Sequence, residues 1–349
     1  MKCTIQNIAD HLGLSRNTVS KALKNSSEVS ENTRNLVIKT ASKLGYKNAT
    51  FATPVIPASE TGSNGTILFL TRTYASDSEF WTTVLRGIES ILSNANYHLA
   101  ISIMSDSDLK QLNFPQTISD SSIKGIILVE ICDKIVCDAL SQFNLPIVSV
   151  DMPNVPFEEL NGIDVVTMES KKNLKKIINQ LIEKGAESFG FVGDLYSPNV
   201  SRGFQERYNA LSECLAEHQL PLNQKNCLLH QTPEDFRNFQ TTVNNLQAMI
   251  SLPDVFICGN DWTAIQLIYA LQFLGFQIPK DICVVGFDNI PAASRISPSL
   301  TTISTPQKYL GIAAARQILE RIQHPNCPHV FCQYETELII RNSTNITSF

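Results

Sequence analysis

The hydrophobic and polar positions of residues 4–46 predict three short helices. In the first, Thr4 is placed to act as the N-cap and Gly13 to turn the chain. Its apolar side chains recur at i, i+3, i+4 and i+7, which puts them on one stripe: Ile5, Ile8, Ala9 and Leu12. A second helix follows the N-cap Ser15, and a third runs from Ser30 to a C-cap at Gly45. This spacing predicts a helix-turn-helix unit.

The second helix has two chemically different faces. Its inward positions are Val19, Ala22 and Leu23, and its outward positions are Asn17, Ser20, Lys21 and Lys24. The outward face indicates either a nucleic-acid contact or a solvated side of a small helical bundle that serves packing or partner binding. Charge favours the first, because residues 1–50 hold eight Lys and Arg against three acids, a net +5, whereas the rest of the chain carries −10. A basic head of this kind is attracted to phosphates.

Behind the head, the pattern changes from helices to alternating strands and helices. Residues 47–65 mix Pro, Gly, Ser and Thr without periodicity and predict a linker. Strands are predicted at 67–71, 98–104, 125–130, 146–151, 189–194, 227–230, 255–259 and 282–287, and helices at about 81–92, 174–181, 204–217, 235–251, 262–274 and 307–322. Alternation predicts parallel sheets with helices on both faces. The number of units favours two doubly wound lobes.

Composition places limits on the class of protein. The 349 residues are 43% hydrophobic, enough for two or three domains, and no apolar run has the length of a membrane span or the form of a signal peptide, so we expect a cytoplasmic protein. Nine scattered cysteines lack CxxC or His-Cys ligand spacing. They predict buried small hydrophobes in a reducing compartment, with no metal site and no cofactor.

The loops that follow the predicted strands carry the candidate binding chemistry. In open parallel sheets, ligands bind beyond the carboxyl ends of the strands. The polar and aromatic residues at those ends are Phe80, Trp81, Asp151, Arg207, Asp261, Trp262 and Asp288. Acids, amides, one Arg and flat rings suit a polyhydroxylated ligand such as a sugar. The alternative is structural, because an Asp at a strand end is often only the N-cap of the next helix, as Asp261 could be.

Catalysis has less support in the sequence. No Gly-rich phosphate loop follows a predicted strand, no Gly-x-Ser-x-Gly motif occurs, and none of the six His belongs to a recognisable nucleophile or metal motif. Two of the carboxylates could serve a glycosidase, but the sequence does not place them across a bond. We therefore expect a binding protein and not an enzyme.

Two distant parts of the chain resemble the lactose/galactose repressor family of bacterial transcription regulators. The head matches in IADHLGLSRNTVSKALKNSSEVSENTR and LGY, and the far end in GNDWTA, IPKDICVVGFDNIPAAS and SPSLTTI. The resemblance implies a DNA-reading head, a body similar to periplasmic sugar-binding proteins, and a homodimer that binds a pseudo-palindromic operator. It also implies base reading by Arg16 and Asn17, and phosphate or base-edge contacts by Thr18, Ser20, Lys21 and Asn25. Thr4 and Ser15, at the two helix starts, complete the predicted DNA-binding set.

In the body, the resemblance implies that Arg207, Asp261 and Asp288 lie at the effector site, with the first two on ligand hydroxyls. Two departures from the family pattern stand out. After GY, Lys47, Asn48 and Ala49 remain without the usual Pro, and Phe51, Pro54 and Pro57 replace the hinge-helix residues. Where the family often has Asp-Asn, this chain has Met168-Glu169-Ser170, so we expect an effector other than the common sugars.

The predicted organisation is a DNA-binding domain at 1–47, a linker or hinge at 48–65, and a two-lobed effector-binding and dimerisation domain at 66–349. Lobe 1 is assigned about 66–160 plus 292–322, and lobe 2 about 163–289 plus 325–341. The predicted function is a repressor whose operator affinity is changed by a sugar-like ligand between the lobes. The alternative is a soluble binding protein or carbohydrate-active enzyme of the same body fold, in which the head is an interaction module.

Overall fold

The computed structural model describes residues 4–23, 29–30, 33–34, 36–37, 40–41, 63–72, 78–195, 201–230 and 238–346. The chain divides into two compact units, one ending at Gly62 and the other beginning at Ser63. The predicted contacts of Lys24 and Asn25, the Gly45 C-cap and linker residues 47–62 lie outside the described residues. At the end of the predicted linker, Gly65 is already the first residue of a strand.

The head contains helix α1 (Ile5–Leu12) and helix α2 (Arg16–Leu23). Thr4 and Asn7 form a reciprocal capping box, and Gly13 ends α1 with φ 63°. Ser15 caps α2, since its Oγ accepts the Thr18 N–H at 3.0 Å. The predicted stripes meet in one small core of Ile8, Ala9, Val19, Ala22, Val29, Val37 and Ala41. The described residues thus confirm the packing predicted from the apolar spacing.

The second unit consists of two sheets of six strands each. The strands are β1 (Gly65–Thr71), β2 (Tyr97–Ile103), β3 (Ile123–Val129), β4 (Ile147–Val150), β5 (Ile163–Met168), β6 (Phe189–Asp194), β7 (Leu228–His230), β8 (Val255–Cys258), β9 (Cys283–Asp288), β10 (Thr301–Ser304), β11 (Phe331–Tyr334) and β12 (Glu337–Ile339). The first sheet has the order β11-β5-β4-β3-β1-β2 and the second β12-β10-β9-β8-β6-β7. All neighbours are parallel except β10 and β12. The prediction of two doubly wound lobes is confirmed.

The helices of this unit follow the strands in sequence. They are α3 (Glu79–Asn94), α4 (Asp106–Gln111), α5 (Lys134–Ser141), α6 (Lys172–Glu183), α7 (Arg202–Glu217), α8 (Phe239–Ala248), α9 (Asp261–Phe273) and α10 (Gln307–Gln323). Central strands such as β3 are buried nearly throughout, because helices cover both faces of a parallel sheet. Within the described residues, no helix combines the length and the apolar character needed to cross a bilayer.

The structure corrects the predicted lobe boundaries. Strands β5 and β11 belong to the first sheet, although 163–168 and 331–334 were assigned to lobe 2, and β10 belongs to the second sheet, although 301–304 were assigned to lobe 1. A buried ion pair explains the position of β5. Asp164, which is fully buried, accepts from Arg321 Nε at 3.0 Å and Nη2 at 2.8 Å, and Arg321 lies on α10. This pair holds α10 against the first sheet.

The chain passes between the lobes three times, after β5, after β10 and after β11. Two of the crossings touch, because the Glu169 N–H donates to the Tyr334 carbonyl at 2.8 Å. The Asn173 side chain donates to the Thr336 carbonyl, also at 2.8 Å. Next to the crossing after β10, the ring of Tyr309 in the first turn of α10 packs edge-on against Tyr334 with centroids 5.1 Å apart. The three crossings therefore form one hinge region.

Helices α3 and α10 approach each other closely through two glycines. A Cβ at Gly311 would lie 2.0 Å from the Val84 carbonyl oxygen, and one at Gly87 would lie 2.2 Å from the Lys308 carbonyl oxygen. Both atoms are main chain and can move only with their helix. The pair is consequently fixed in one packing arrangement.

Gly311→Ala should lower the free energy of unfolding by about 1–3 kcal/mol, the usual cost of overpacking. A destabilising effect would indicate the close helix contact, because replacing Gly by Ala inside a helix otherwise raises the free energy of unfolding by up to about 1 kcal/mol. Urea unfolding measures the effect, with Lys308→Ala on the exposed side of α10 as the control. A stabilised Gly311→Ala variant would contradict this packing.

The cysteines follow the prediction only in part. Cys132, Cys137, Cys214, Cys258 and Cys283 are buried, but Cys227 and Cys332 are half-buried and Cys327 is exposed. Cys327 lies between α10 and β11, in the segment that Arg321 holds by hydrogen bonds to the carbonyls of Pro325, Cys327 and Pro328. The Cys327 carbonyl accepts a hydrogen bond from Arg321, whereas its side chain is exposed. The prediction that the cysteines are buried is therefore wrong at Cys327.

Candidate functional site

In the head, Arg16 and Asn17 occupy the first turn of α2 and are exposed. The first turn of α2 contains no acidic residue, so the Arg16 charge sits at the positive end of the helix dipole. Phosphate or a base acceptor placed there would relieve this repulsion. Ser20 and Lys21 are half-buried one turn further on. The hydroxyls of Thr4, Ser15 and Thr18 already take part in helix capping.

In the body, polar residues meet at the carboxyl ends of the strands. Glu130 follows β3, Asp151 follows β4, and Asp288 ends β9. Their φ angles are 59°, 75° and 115°, a region that favours glycine. Such strain persists only where the surrounding structure enforces it, and it is concentrated at functional sites. These three carboxyl groups thus mark the cleft as the candidate ligand site.

Arg207 is the only cation among the seven predicted effector residues, and it is 3% exposed. Its Nη1 donates to the Gly259 carbonyl at 2.6 Å, and its guanidinium carbon lies 3.6 Å from the centre of the Phe287 ring. Its Nε is buried and has no hydrogen-bond partner among the described residues. One donor of this guanidinium is therefore still to be satisfied.

Carboxyl groups from both lobes act on Arg207. Burial lowers its pKa, and Asp288, Asp151, Glu206 and Asp261, in decreasing order, oppose that shift. Burial in turn raises the pKa of Asp151, and it raises the pKa of Asp288 well above the usual range although part of Asp288 stays accessible. Arg207 partly offsets both shifts. Asp261 also has Arg341 as a cationic neighbour and Glu206 pairs with Arg202, so Asp151 and Asp288 are the two acids that share Arg207.

Asp151 connects the two lobes. Its Oδ2 accepts from the Ser201 hydroxyl at 2.5 Å, and its Oδ1 accepts from the Met152 N–H at 2.8 Å. Ser201 is the N-cap residue of α7, but its side chain makes no capping bond. Instead, the Arg202 N–H donates to the Met152 carbonyl at 3.0 Å. The start of α7 is accordingly held by the first lobe.

Ser170 and Ser201 border the candidate site, although neither is among the predicted effector residues. The Ser170 hydroxyl is buried and unpartnered in the described part of the chain. A Cβ on Gly203 would lie 3.5 Å from each of the Ser170 and Ser201 hydroxyls and 3.4 Å from Arg207 Nη2. Gly203 thereby brings three polar groups together. The available signal was the departure from the family pattern at residues 168–170, which drew attention to Ser170 without assigning it to the site.

Asp261 is fully buried at the start of α9. Its Oδ1 accepts from the Thr302 hydroxyl at 2.5 Å and its Oδ2 from the Ile290 N–H at 2.9 Å. The N-cap of α9 is Asn260, so the structural alternative for Asp261 as an N-cap is wrong. Asp261 supports the turn at 288–290, and direct contact with a ligand stays a prediction.

The three predicted aromatic residues have different surroundings. Phe80 is 7% exposed and packs in the core of the body, where it meets Trp81 edge-on with ring centroids 4.6 Å apart. Trp81 is half-buried, and its Nε1 donates to Glu130 at 2.5 Å. Trp262, at the second position of α9, is 37% exposed. Trp81 is thus tied directly to the strand-end carboxylate of Glu130.

The chain thus combines a head with two helices in helix-turn-helix spacing and a body of two parallel-sheet lobes. The profile described as bacterial regulatory proteins, lacI family, matches residues 4–48. The profile described as periplasmic binding protein-like domain matches residues 178–344. The chain thus has a lacI-type DNA-binding head followed by a periplasmic-binding-protein-like body.

Known proteins agree with this assignment. The ribose operon repressor of Haemophilus influenzae is 27% identical over 344 residues, which cover 97% of this chain and 98% of that protein. Two solved structures share the fold. The regulator CelR in complex with cellobiose has a TM-score of 0.68 at 19% identity, over 98% of this chain and 100% of that one. The lac repressor dimer bound to operator and the anti-inducer ONPF has a TM-score of 0.66 at 18% identity, over 99% of each. All three of these relatives are named as repressors or regulators of transcription.

Proposed function

We propose that this repressor is a cytoplasmic homodimer that binds a two-fold operator through α2, and that a sugar-like effector bound between its lobes changes the operator affinity. The observation that carries the effector site is Arg207, a buried guanidinium with an unsatisfied Nε among carboxyl groups of both lobes. Only a ligand with different affinities for two arrangements of the lobes can shift their equilibrium. Contact with Asp151 on one lobe and Asp288 on the other supplies such a difference.

The chemistry of the cleft supports a neutral polyol. Sugar hydroxyls can donate to Asp151 and Asp288 while they accept from Arg207 and Ser170. An anionic group would meet the excess of carboxyl groups, which disfavours it. The ring of Trp81, and Trp262 on the other lobe, are proposed to cover the C–H faces of the sugar. CelR was solved with cellobiose, a ligand of this class.

The DNA-binding proposal rests on the exposed first turn of α2. The lac repressor relative was solved as a dimer bound to operator, and two-fold symmetry doubles the few base contacts that one short helix provides. Ser20 and Lys21 are proposed to contact phosphates or base edges. The soluble binding protein or enzyme of the same body fold, considered from the sequence, is not favoured, because the relatives are repressors.

The full chain tests this proposal in two steps. Selection from random duplexes should return a two-fold site bound at least about 10³-fold more tightly than random DNA at matched salt. Ribose, cellobiose, other sugars, sugar phosphates, nucleosides and amino acids are then screened for a change in affinity for that site. Equal affinity for selected and random DNA would overturn the DNA-binding proposal. A response to nucleosides or amino acids alone would overturn the sugar proposal.

Arg16→Ala should change which bases are selected and weaken the preferred site by about 1–3 kcal/mol, as loss of a bidentate contact to guanine does. Lys21→Ala is the matched control on the same helix. It should weaken all duplexes about equally and reduce the salt dependence, since a phosphate contact carries no sequence information. If Arg16→Ala selects the same site as the wild type, Arg16 does not read bases.

A further inference from the structure

The main-chain carbonyl of Asp288 receives several hydrogen bonds at once. Gln307 Nε2 donates to it at 2.6 Å and the Thr305 hydroxyl at 3.2 Å. The N–H of the same peptide plane, that of Asn289, donates to the Thr302 hydroxyl at 3.3 Å. Asp288 has a φ of 115°, a conformation that an Asp does not adopt unless its surroundings impose it. These bonds fix the plane that directs the Asp288 side chain.

Gln307 differs from Thr302, which accepts the Asn289 N–H of the same peptide plane, in the lobe to which it is fixed. Thr302 lies on β10 of the second sheet, as Asp288 lies on β9. Gln307 is the first residue of α10, which packs on α3 and on strands β3, β4 and β5 of the first sheet. Its side chain is 8% exposed. The glycine contacts described above fix α10 to α3, so Gln307 moves with the first lobe.

We propose that Gln307 is a positioning residue, which reaches from the first lobe to hold the Asp288 peptide plane in the second lobe and so sets the direction of the Asp288 carboxylate in the cleft. Rotation of the lobes must either turn that peptide or break the Gln307 hydrogen bond. The effector site is thereby coupled to the α3–α10 pair. The coupling to an effector rests on the proposed function, whereas the positioning does not.

The first test requires no ligand. Gln307→Met keeps the length of the side chain and removes the donor. Hydrogen exchange at the Asn289 amide reports on the same peptide plane and should accelerate roughly three- to tenfold, as expected for loss of one hydrogen bond. Gln317→Met is the matched control, because Gln317 Nε2 donates to Asp164 at 3.0 Å from the same helix. It should leave Asn289 exchange unchanged.

The second test uses whichever sugar of the screen changes the operator affinity of the wild type. Gln307→Met should raise its Kd roughly three- to tenfold, and Gln317→Met should not. Gln307→Glu, which also lacks the donor, should repeat both results and provides the test if the Met variant does not fold. Unchanged Asn289 exchange in these variants, or equal acceleration in Gln317→Met, would overturn the proposal. If Asn289 exchange accelerates in Gln307→Met but no sugar binds the wild type, the positioning role of Gln307 is supported and the sugar proposal is wrong.

Discussion

The body should become more stable to urea as the pH falls from about 7 to about 4, and Asp261→Asn should remove a large part of this gain. Burial raises the pKa of Asp261 to about 7, despite the bonds from Thr302 and Ile290 that lower it. In the unfolded chain, the pKa of an Asp is about 3.9. Between these values, the folded state binds the additional proton. Stability therefore falls as the pH rises through this window, by at most about 4 kcal/mol.

The Asn variant can keep both contacts, since its oxygen accepts from the Ile290 N–H and its amide donates to the Thr302 hydroxyl. It should be more stable than the wild type at pH 7 and similar near pH 4. Tryptophan fluorescence follows this unit alone, because both tryptophans, Trp81 and Trp262, lie in it. Asp151 and Asp288, whose pKa values are also raised, keep some pH dependence in the variant.

Asp254→Asn is the control of opposite sign. Hydrogen bonds from Glu187 and Ser188 outweigh burial and lower the pKa of Asp254. Its stabilising contribution is complete above its unfolded pKa of about 3.9 and is lost as the pH falls through the folded value. Asp254→Asn should therefore destabilise the protein throughout the window from about 4 to about 7. Parallel stability curves for the wild type and Asp261→Asn would show that Asp261 does not titrate as described.

The second large effect is expected from Arg207→Met. The change removes the buried cation, the hydrogen bond to Gly259 and the contact with the Phe287 ring. It leaves Asp151 and Asp288 without the charge that lowers their pKa values. Removal of one partner from a buried charge cluster costs about 3–5 kcal/mol. We expect a loss near the lower value at pH 7, because burial of Arg207 is itself unfavourable.

The loss should shrink at about pH 5, where the unpaired carboxyl groups can bind protons and become neutral. Arg202→Met, five residues earlier on α7, removes a half-buried i,i+4 pair with Glu206 and the contact of Arg202 with the Phe331 ring, and should cost about 1–2 kcal/mol at either pH. Arg207→Met should also abolish the response to the effector, whereas Arg202→Met tests for a general effect on α7. If Arg207→Met loses the same unfolding free energy at both pH values, Arg207 stabilises the protein by packing and not by its charge.

The sequence predicted most of the elements that surround the cleft, because periodicity is a local property. Eight strands were predicted close to their observed positions, but β5, β10, β11 and β12 were not predicted. Asp164 interrupts the apolar pattern of β5, and its partner Arg321 is more than 150 residues distant. Thr301 and Thr302 are fully buried in β10, where their hydroxyls bind Arg341 and Asp261. In both strands, distant partners satisfy polar groups that a local pattern assigns to the surface.

The sequence also pointed to part of the candidate effector site and left another part unpredicted. Strand-end position placed Asp151 and Asp288 at the candidate site, since the ends of parallel strands meet at one edge of each sheet, whereas Arg207 lies inside helix α7. It did not distinguish Asp261, which is buried beneath a turn, from Asp288, which borders the cleft. Ser170 and Gln307 carry no signal as residue types. Their roles follow from burial and from which lobe holds each segment, and both properties are set by the tertiary fold.

The three crossings also affect how the protein is made. The first sheet is completed by β11, and the second by β12, which follows it directly in the sequence. During synthesis, β5 (163–168) is therefore made about 160 residues before β11, the strand that pairs with its outer edge. The two sheets gain their last strands within a few residues of each other, β11 first, and we expect nascent chains that stop before residue 331 to expose both unfinished edges to chaperones and proteases.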